Sequence, residues 1–193
     1  MKVVIIKYNA GNIRSVDFAL KRLAVDAEIT SDPDRIRQAD KVIFPGVGEA
    51  KSTMDHLRDV GLDKVIKGLQ QPVLGICLGM QLLCDASEER NASGLGILPM
   101  RVKRFAGNIK VPHMGWNRIQ GLQSPLFEGI HEGSFVYFVH SYYVPANEWS
   151  VADAYHGMSF CAAAQRDNFF AVQFHPEKSG QTGAILLKNF LNL

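Results

Sequence analysis

The most restrictive feature of this sequence is the segment 75–81, in which one cysteine, Cys77, lies between two glycines. The apolar run 72–74 precedes it and a helical pattern follows it. This order predicts a strand, a tight turn with the cysteine at its apex, and a helix whose unpaired N–H groups favour a thiolate. The glycines are expected where side chains would collide. A buried cysteine at an ordinary turn is the alternative until a base is found elsewhere.

Composition favours one compact soluble chain and excludes several functional classes. The 193 residues, 47% hydrophobic and 21% charged, predict a single domain over residues 1–193. A net charge of +2 gives no electrostatic reason to expect nucleic acid or a membrane surface as a partner. The apolar runs, such as 3–6, are too short to span a bilayer. The odd cysteine count and the absence of a recognisable leader lead us to expect a cytoplasmic protein.

Short apolar runs alternate with helical patterns through the first part of the chain. Strands are predicted at 2–7, 27–30, 41–44 and 73–76, and helices after Asn12, from 31–33, near Ala50 and after Gly61. The alternation predicts a flavodoxin-like α/β fold, a doubly wound, mostly parallel sheet with helices on both faces. The breaks at 8–12, 45–48 and 75–79 follow strand carboxyl ends, where ligands of such sheets bind.

The second part of the sequence has a different pattern. Glycine-broken short strands between Gly94 and Val111 predict an antiparallel excursion. Further strands are predicted at 135–139, 151–154, 160–165 and 169–174, before a closing helix. Cys84 is expected on the same helix face as Cys77, and Cys84 and Cys161 are both expected to be buried as small hydrophobic residues.

A cysteine nucleophile needs a base and a group that orients the base. His175 is the candidate base, because it follows a strand predicted to be central and precedes Pro176, which keeps the segment extended. In an extended segment residues 175 and 177 point to the same side. Glu177 would then accept from one ring nitrogen while the other faces Cys77. The sequence therefore predicts a Cys77–His175–Glu177 triad.

The oxyanion formed by such a nucleophile needs two N–H donors. The backbone N–H of Leu78, directly after the nucleophile, is the first candidate. The small residues of segment 45–48 let backbone N–H groups approach a ligand, so Val47 is the predicted second donor, with Gly48 the nearest alternative.

These motifs, the segment 75–81 and His175-Pro176-Glu177, resemble those of class I (triad) glutamine amidotransferases. With the segments 8–13, 112–117, 138–142 and 175–179, they resemble more narrowly the glutaminase subunits of imidazole glycerol phosphate synthase, over essentially the whole chain. The resemblance implies the class I glutaminase fold in one glutamine amidotransferase type 1 domain. It implies no cofactor, and hydrolysis of L-glutamine to L-glutamate and ammonia through a Cys77 thioester.

The resemblance also implies a heterodimer with a (β/α)8-barrel cyclase subunit. That subunit uses the ammonia to form imidazole glycerol phosphate and aminoimidazole carboxamide ribotide, in L-histidine biosynthesis. Matching positions imply substrate contacts from Gln81 and Glu89 and from backbone groups of Gly48, Ser141 and Tyr142. Residues implied near the subunit interface or the ammonia exit are Asn12, Trp116, Tyr137 and Lys178. Ser15 departs from the family pattern, which often has asparagine there.

Several alternatives stay open from the sequence. Glu89 could be a solvated helix-end charge, Gln81 an ordinary polar helix position, and Trp116 a buried structural residue. His113 and His140 could be imagined as metal ligands, but no ligand spacing supports this and no metal site is predicted. At the level of function the alternatives are a subunit serving another synthase, a stand-alone cysteine hydrolase and a non-catalytic regulatory partner.

Overall fold

The computed structural model describes residues 1–8 and 12–193. Asn9, Ala10 and Gly11, which belong to the predicted break at 8–12 and to the motif at 8–13, lie outside the described residues. The first elements are β1 (Val3–Ile6), α1 (Ile13–Arg22), β2 (Ala27–Thr30), α2 (Pro33–Arg37), β3 (Lys41–Phe44), α3 (Ala50–Asp59), α4 (Leu62–Lys67), β4 (Val73–Ile76) and α5 (Leu78–Leu83). The predicted alternation of strands and helices is confirmed in this part.

Short strands dominate the second part of the chain. Its elements are β5 (Cys84–Ser87), β6 (Ala92–Ser93), β7 (Leu98–Arg104), β8 (His113–Arg118), β9 (Phe135–His140), β10 (Tyr142–Tyr143), β11 (Ser150–Tyr155), β12 (Ser159–Arg166), β13 (Phe169–Val172) and α6 (Gly180–Asn192). Short 3-10 turns occupy Glu89–Asn91, Pro125–Phe127 and Pro176–Lys178. Strand β8 was not predicted from its sequence, and β13 ends two residues before the predicted 174.

The main sheet has seven strands in the order β11-β12-β13-β4-β3-β1-β2. The pairs from β13 to β2 are parallel and the two at the β11 edge are antiparallel. The predicted mostly parallel α/β sheet is therefore confirmed. Strand β4 lies between β3 and β13, so the carboxyl ends of these three strands meet at one edge, where ligands of such sheets bind.

Both faces of the main sheet are covered by hydrophobic residues. Along β1, Val4 and Ile6 belong to one buried cluster, and Val3 and Ile5 belong to the other. Strand side chains alternate between faces, and each buried aliphatic side chain contributes about 1.5–3 kcal/mol to folding. Two buried layers thus hold the central strands in place. Within residues 1–8 and 12–193, no helix combines the length and the apolar character needed to cross a membrane.

The excursion forms a four-stranded sheet, β10-β7-β5-β6, and a two-stranded ribbon, β8-β9. All pairs in them are antiparallel except β5-β7, which is parallel. The prediction that Cys84 continues the helix of Cys77 is wrong, because α5 ends at Leu83 and Cys84 opens β5. The carbonyl groups of Leu83 and Cys84 accept from Ile97 and Gly96 instead of from a further helical turn. Cys84 and Cys161 are both buried, as expected.

Candidate active site

Cys77 lies between β4 and α5 in a strained backbone conformation, with φ 54° and ψ −108°. Its N–H donates to the carbonyl of Val172 at 2.8 Å, which ties the turn to β13. The neighbouring glycines serve close packing. A Cβ on Gly79 would lie 2.0 Å from the carbonyl oxygen of Phe44, and one on Gly75 would lie 2.8 Å from Leu83 Cδ1. The surrounding packing therefore fixes a conformation that a cysteine rarely adopts, a device common at functional sites.

A cavity of about 270 Å³ opens beside Cys77 at the carboxyl edge of the sheet. It is slightly smaller than the usual pockets for drug-sized ligands, so its volume suits a small metabolite. Nine predicted site residues line it: Val47, Gly48, Cys77, Leu78, Gln81, Glu89, Ser141, Tyr142 and His175. Val139 and His140 complete the lining. Glu177 and the predicted interface residues lie outside this lining.

His175 and Glu177 form the most buried polar contact near the cavity. Nδ1 of His175 lies 2.8 Å from Oε1 of Glu177, and the two side chains are 1% and 0% exposed. The contact does not arise from an extended segment, as predicted from the sequence. Pro176–Lys178 is a 3-10 turn, and this turn brings the carboxylate back beneath the ring. Among the described residues, His175 Nε2 and Glu177 Oε2 have no hydrogen-bond partner.

The surroundings of His175 favour the protonated imidazole. Burial lowers its pKa, but Cys77 and Glu177 together outweigh burial and raise the pKa to about 10. Because no hydrogen bond to His175 Nε2 is formed, Cys77 acts through the closeness of its sulfur rather than through a bond already made. The arrangement can hold an imidazolium between a thiolate and a carboxylate, and the free Nε2 can deliver a proton into the cavity.

Asn12 was expected to cap α1 and to lie near a subunit interface. It does precede α1, with φ 71°, but its side chain makes no capping hydrogen bond. Its amide nitrogen donates instead to Oε1 of Glu177. The carboxylate oxygen that faces His175 thus accepts two donors, so Asn12 helps to orient the Glu177 side chain.

Gln81 lines the cavity, but its amide nitrogen is engaged within the protein. Nε2 donates to the carbonyl of Tyr142 at 3.0 Å and to Oε1 of Gln173 at 2.9 Å. Only the oxygen of Gln81 is left to accept from a ligand. Gln173 is fully buried, and its Nε2 lies 3.7 Å from the sulfur of Cys77. Gln173 was not predicted as a site residue, although a lone polar residue in the apolar run 169–174 could have indicated it.

Glu89 is only partly exposed, so it is not simply a solvated charge. Its Oε2 accepts from the backbone N–H of Ala50 at 2.7 Å, at the start of α3. Burial raises the pKa of Glu89, while the hydrogen bond from Ala50 opposes the rise. A half-buried carboxylate at the cavity wall is suited to receive a cationic ligand group.

The loop after β3 packs directly on the Cys77 turn. The N–H of Leu78, a predicted oxyanion donor, donates to the carbonyl of Gly46 at 3.3 Å. A trans peptide directs its N–H opposite to its carbonyl, so the N–H of Val47 points away from the Leu78 N–H. Tyr8, whose hydroxyl donates to the carbonyl of Pro45, anchors the start of this loop. Burial, and then the nearby Cys77, raise the pKa of Tyr8 above its usual range.

The β8-β9 ribbon carries an exposed apolar surface, which we call the ribbon face: Met114, Trp116, Phe135 and Tyr137. Trp116 is 56% exposed, so the alternative of a buried structural tryptophan is wrong. It pairs across the ribbon with Tyr137, their ring centroids 6.0 Å apart. Lys178 Nζ lies 5.9 Å from the Tyr137 ring centroid. Three predicted interface residues are thus adjacent, on a kind of patch typical of protein contacts.

No cluster of three or more His, Cys, Asp or Glu side chains within residues 1–8 and 12–193 is arranged to hold a metal ion. His113 and His140 do meet, with Nδ1 of His113 2.9 Å from Nε2 of His140. The contact is a hydrogen bond between two rings, so their facing nitrogens are engaged with each other.

Known proteins share this sequence and this fold. The family model for glutamine amidotransferase class-I matches residues 5–193. The chain is 61% identical to the imidazole glycerol phosphate synthase subunit HisH of Bacteroides fragilis and 47% identical to that of Escherichia coli, over the full length of both chains. It is also similar to a crystal structure of a putative GMP synthase protein from Thermoplasma acidophilum. That match has a TM-score of 0.75 at 21% identity and covers 100% of this chain and 93% of that one.

Proposed function

The chain belongs to the class I glutamine amidotransferases and, within them, to the HisH subunits of imidazole glycerol phosphate synthase, and on that premise we propose that it hydrolyses L-glutamine at Cys77. One observation carries the assignment of roles. The 2.8 Å hydrogen bond between His175 and Glu177 directs the other ring nitrogen towards the cavity that Cys77 lines. Cys77 is then the nucleophile, His175 the acid and base, and Glu177 the group that orients the ring.

In the first half-reaction, the Cys77 thiolate attacks the side-chain amide carbon of glutamine. A carbon–sulfur bond forms, and the carbonyl electron pair moves to oxygen. When this oxyanion collapses, the carbon–nitrogen bond breaks and the protonated His175 gives its Nε2 proton to the leaving nitrogen. Ammonia leaves, and a thioester on Cys77 remains.

In the second half-reaction, water attacks the thioester carbonyl. His175, now neutral, takes a proton from the water, and a second oxyanion collapses as the carbon–sulfur bond breaks. Glutamate leaves, and the thiolate and imidazolium return. Glu177 holds the Nδ1–H of His175 throughout, so the ring presents Nε2 in both steps.

The oxyanion site needs a change in the loop after β3. The Leu78 N–H is engaged by the Gly46 carbonyl, and the Val47 N–H points the other way. Turning the peptide between Gly46 and Val47 would free the first donor and bring in the second at once. Losing one such donor typically costs about 100- to 1,000-fold in kcat. We therefore expect the isolated chain to turn over glutamine slowly, and a partner that turns this peptide to accelerate it.

The cavity offers complementary groups for the amino-acid end of glutamine. The Glu89 carboxylate and the free oxygen of Gln81 are acceptors for the α-ammonium group. Backbone N–H groups of Gly48, Ser141 and Tyr142 are the candidate donors for the α-carboxylate. The amide would then point towards Cys77.

Ammonia released at Cys77 passes, in this proposal, to a (β/α)8-barrel cyclase subunit in a heterodimer. The ribbon face supports a docking site, since Trp116 and Met114 are 56% and 60% exposed and lie next to Lys178. Tyr137 and Lys178 are the further contacts that we propose. Asn12 has its amide directed to Glu177, so we assign it to the triad rather than to direct contact with the partner.

A covalent labelling experiment tests the proposal. The protein is treated with a diazo-ketone analogue of glutamine, with and without cyclase and its nucleotide ligand, and the modified residue is found by mass spectrometry. We expect label on Cys77 and none on Cys84 or Cys161, which are fully buried and serve as internal controls. If Cys77 stays unlabelled in both conditions, the glutaminase mechanism is wrong.

A kinetic measurement then separates a synthase subunit from a stand-alone hydrolase. Glutamate release is followed with and without the cyclase subunit and its nucleotide. We expect it to rise by at least about 100-fold when both are present, because one oxyanion donor is worth that much. Full activity of the isolated chain would contradict the coupling proposed here.

A further inference from the structure

A chain of hydrogen bonds runs from beside the ribbon face to the cavity wall through two buried histidines, His113 and His140. Asn117 Nδ2 lies 3.2 Å from His113 Nε2, and His113 Nδ1 lies 2.9 Å from His140 Nε2. His140 Nδ1 lies 2.7 Å from the carbonyl oxygen of Tyr142. The two residues are 5% and 6% exposed, and neither belongs to the proposed triad. We call them the histidine pair.

Chemistry at the two ends fixes the direction of every bond in this chain. The Tyr142 carbonyl can only accept, so His140 carries its proton on Nδ1 and has a lone pair on Nε2. His113 must then donate from Nδ1 and accept at Nε2. The N–H of Arg118 donates to the amide oxygen of Asn117, which leaves the Asn117 amide nitrogen to donate to His113. Both rings are thus neutral and protonated on Nδ1.

On the cavity side, the same carbonyl receives a second donor. Gln81 Nε2 donates to the Tyr142 carbonyl at 3.0 Å, and its other N–H goes to Gln173 Oε1. Gln173 in turn presents its amide nitrogen to the Cys77 sulfur at 3.7 Å. The Tyr142 carbonyl is therefore held between His140 and Gln81, and this junction sets which end of the Gln81 amide is left for a ligand.

Packing keeps the histidine pair uncharged. The ring of His113 is stacked between those of Phe138 and His156, at centroid distances of 4.9 and 4.3 Å. Burial lowers the pKa of His113 to about 4 and that of His140 to about 3, with neighbouring histidines adding to the effect. A proton on either Nε2 would face a donor and find no acceptor.

We propose that His140, held by His113, is a positioning residue for glutamine recognition. By donating to the Tyr142 carbonyl, it fixes the backbone of Ser141 and Tyr142 and directs the Gln81 amide nitrogen inward. The Gln81 oxygen is then left to face the substrate. The pair touches neither the reacting amide nor the nucleophile, and it acts through the cavity wall. This inference rests on the proposed function only in naming glutamine as the ligand.

The first test reads the protonation of the rings directly. Proton–nitrogen correlation spectra of the free wild-type chain, with isotope-labelled histidine, distinguish Nδ1–H, Nε2–H and charged imidazoles. We expect two of the six histidines to be neutral and protonated on Nδ1. Single substitutions His113→Asn and His140→Asn assign them. An Nε2–H or charged form of either ring would overturn the proposal, whether or not the protein proves to be a glutaminase.

The second test compares two substitutions of His140 in the complex with cyclase. His140→Asn places an N–H near the former Nδ1 and can still donate to Tyr142, whereas His140→Phe fills the space without a donor. We expect the KM for glutamine to rise about tenfold in His140→Phe and to stay within about threefold in His140→Asn, since one hydrogen bond is worth roughly that factor. In both variants, kcat should change less than KM.

Two further variants keep this test decisive. His131→Asn, at an exposed histidine away from the cavity, should leave KM and kcat unchanged. If His140→Phe does not fold, His113→Leu removes the donor to His140 one step further away, and its KM should rise by about threefold. Equal KM values for the Asn and Phe variants, or a fall in kcat at constant KM, would overturn the positioning role. A wild-type complex without glutamine turnover or Cys77 labelling would instead refute the proposed function.

Discussion

Two buried histidines beside the same cavity have opposite electrostatic surroundings. His175 lies against Glu177, with Cys77 nearby, and its pKa is raised to about 10. His140 lies against a carbonyl and another imidazole, and its pKa is lowered to about 3. Both are almost fully buried, at 1% and 6% exposure.

The difference shows that burial does not by itself decide the charge of an imidazole. Burial is the largest single contribution at both sites, and at both it favours the neutral ring. At His175 a carboxylate and a thiol outweigh it. At His140 the hydrogen bond to Tyr142 is too weak to do so, and neighbouring histidines add to the effect of burial. One ring is therefore suited to proton transfer and the other to holding a fixed hydrogen bond.

Glu177→Gln should break the His175 side of this comparison most severely. The Glu177 oxygen that faces His175 also accepts from Asn12, and an uncharged amide there stabilises the imidazolium less and can present a donor to Nδ1. We expect kcat to fall by about 1,000- to 10,000-fold, as for other triads with the wrong tautomer. Steady-state glutamate release in the cyclase complex measures this, with exposed Glu128→Gln as the control. Activity within threefold of wild type would remove the orienting role.

Gly183→Ala should disturb the same side from behind, without touching His140. A Cβ at Gly183 would lie 1.9 Å from the carbonyl oxygen of Pro176, so α6 must move away from the turn that carries Glu177. We expect a loss of about 2–3 kcal/mol in the free energy of unfolding, typical of overpacking, measured by urea denaturation. Gly68→Ala is the matched control, because its Cβ would make contacts no shorter than 3.5 Å. Equal stability of the two variants would contradict a tight contact between α6 and this turn.

The pH dependence of stability should have opposite signs at the two rings. The raised pKa of His175 stabilises the fold fully below its ordinary value of 6.5, and this contribution is lost as pH rises towards about 10. The lowered pKa of His140 stabilises the fold above 6.5, and this contribution is lost as pH falls towards about 3.

Urea unfolding of the wild type, His140→Phe and His175→Phe at several pH values checks both signs. Between pH 6.5 and about 5, the wild type should lose about 2 kcal/mol relative to His140→Phe. Above pH 6.5, the wild type should lose stability relative to His175→Phe. Parallel pH profiles for all three proteins would mean that the two rings do not differ in charge.

Asn12→Ala should have the smallest effect. It removes one of the two donors to the Glu177 oxygen and leaves the His175 contact in place. We expect kcat to fall by about fivefold, the value of one ordinary hydrogen bond, while binding of the cyclase subunit stays unchanged. Exposed Asn108→Ala serves as the control in the same assay. Weaker cyclase binding with unchanged kcat would instead support the interface role first expected for Asn12.

Much of the fold could be predicted because its signals are local. The strands β2, β3 and β4 were predicted to the residue, since short apolar runs are bounded by charged, proline or glycine residues. Cys84 was placed wrongly because a helix end depends on where its last carbonyls find donors. Those donors are on Gly96 and Ile97, which are distant in sequence.

The sequence by itself determined the doubly wound sheet, the Cys77 turn and the pairing of His175 with Glu177, because each depends on neighbouring residues or on strand ends that a parallel sheet brings together. Only the tertiary structure decided that Gly46 occupies the Leu78 N–H, that Gln173 approaches Cys77, and that His113 and His140 bond to each other. These contacts join separate segments through single hydrogen bonds, whose direction depends on atoms that no local pattern specifies.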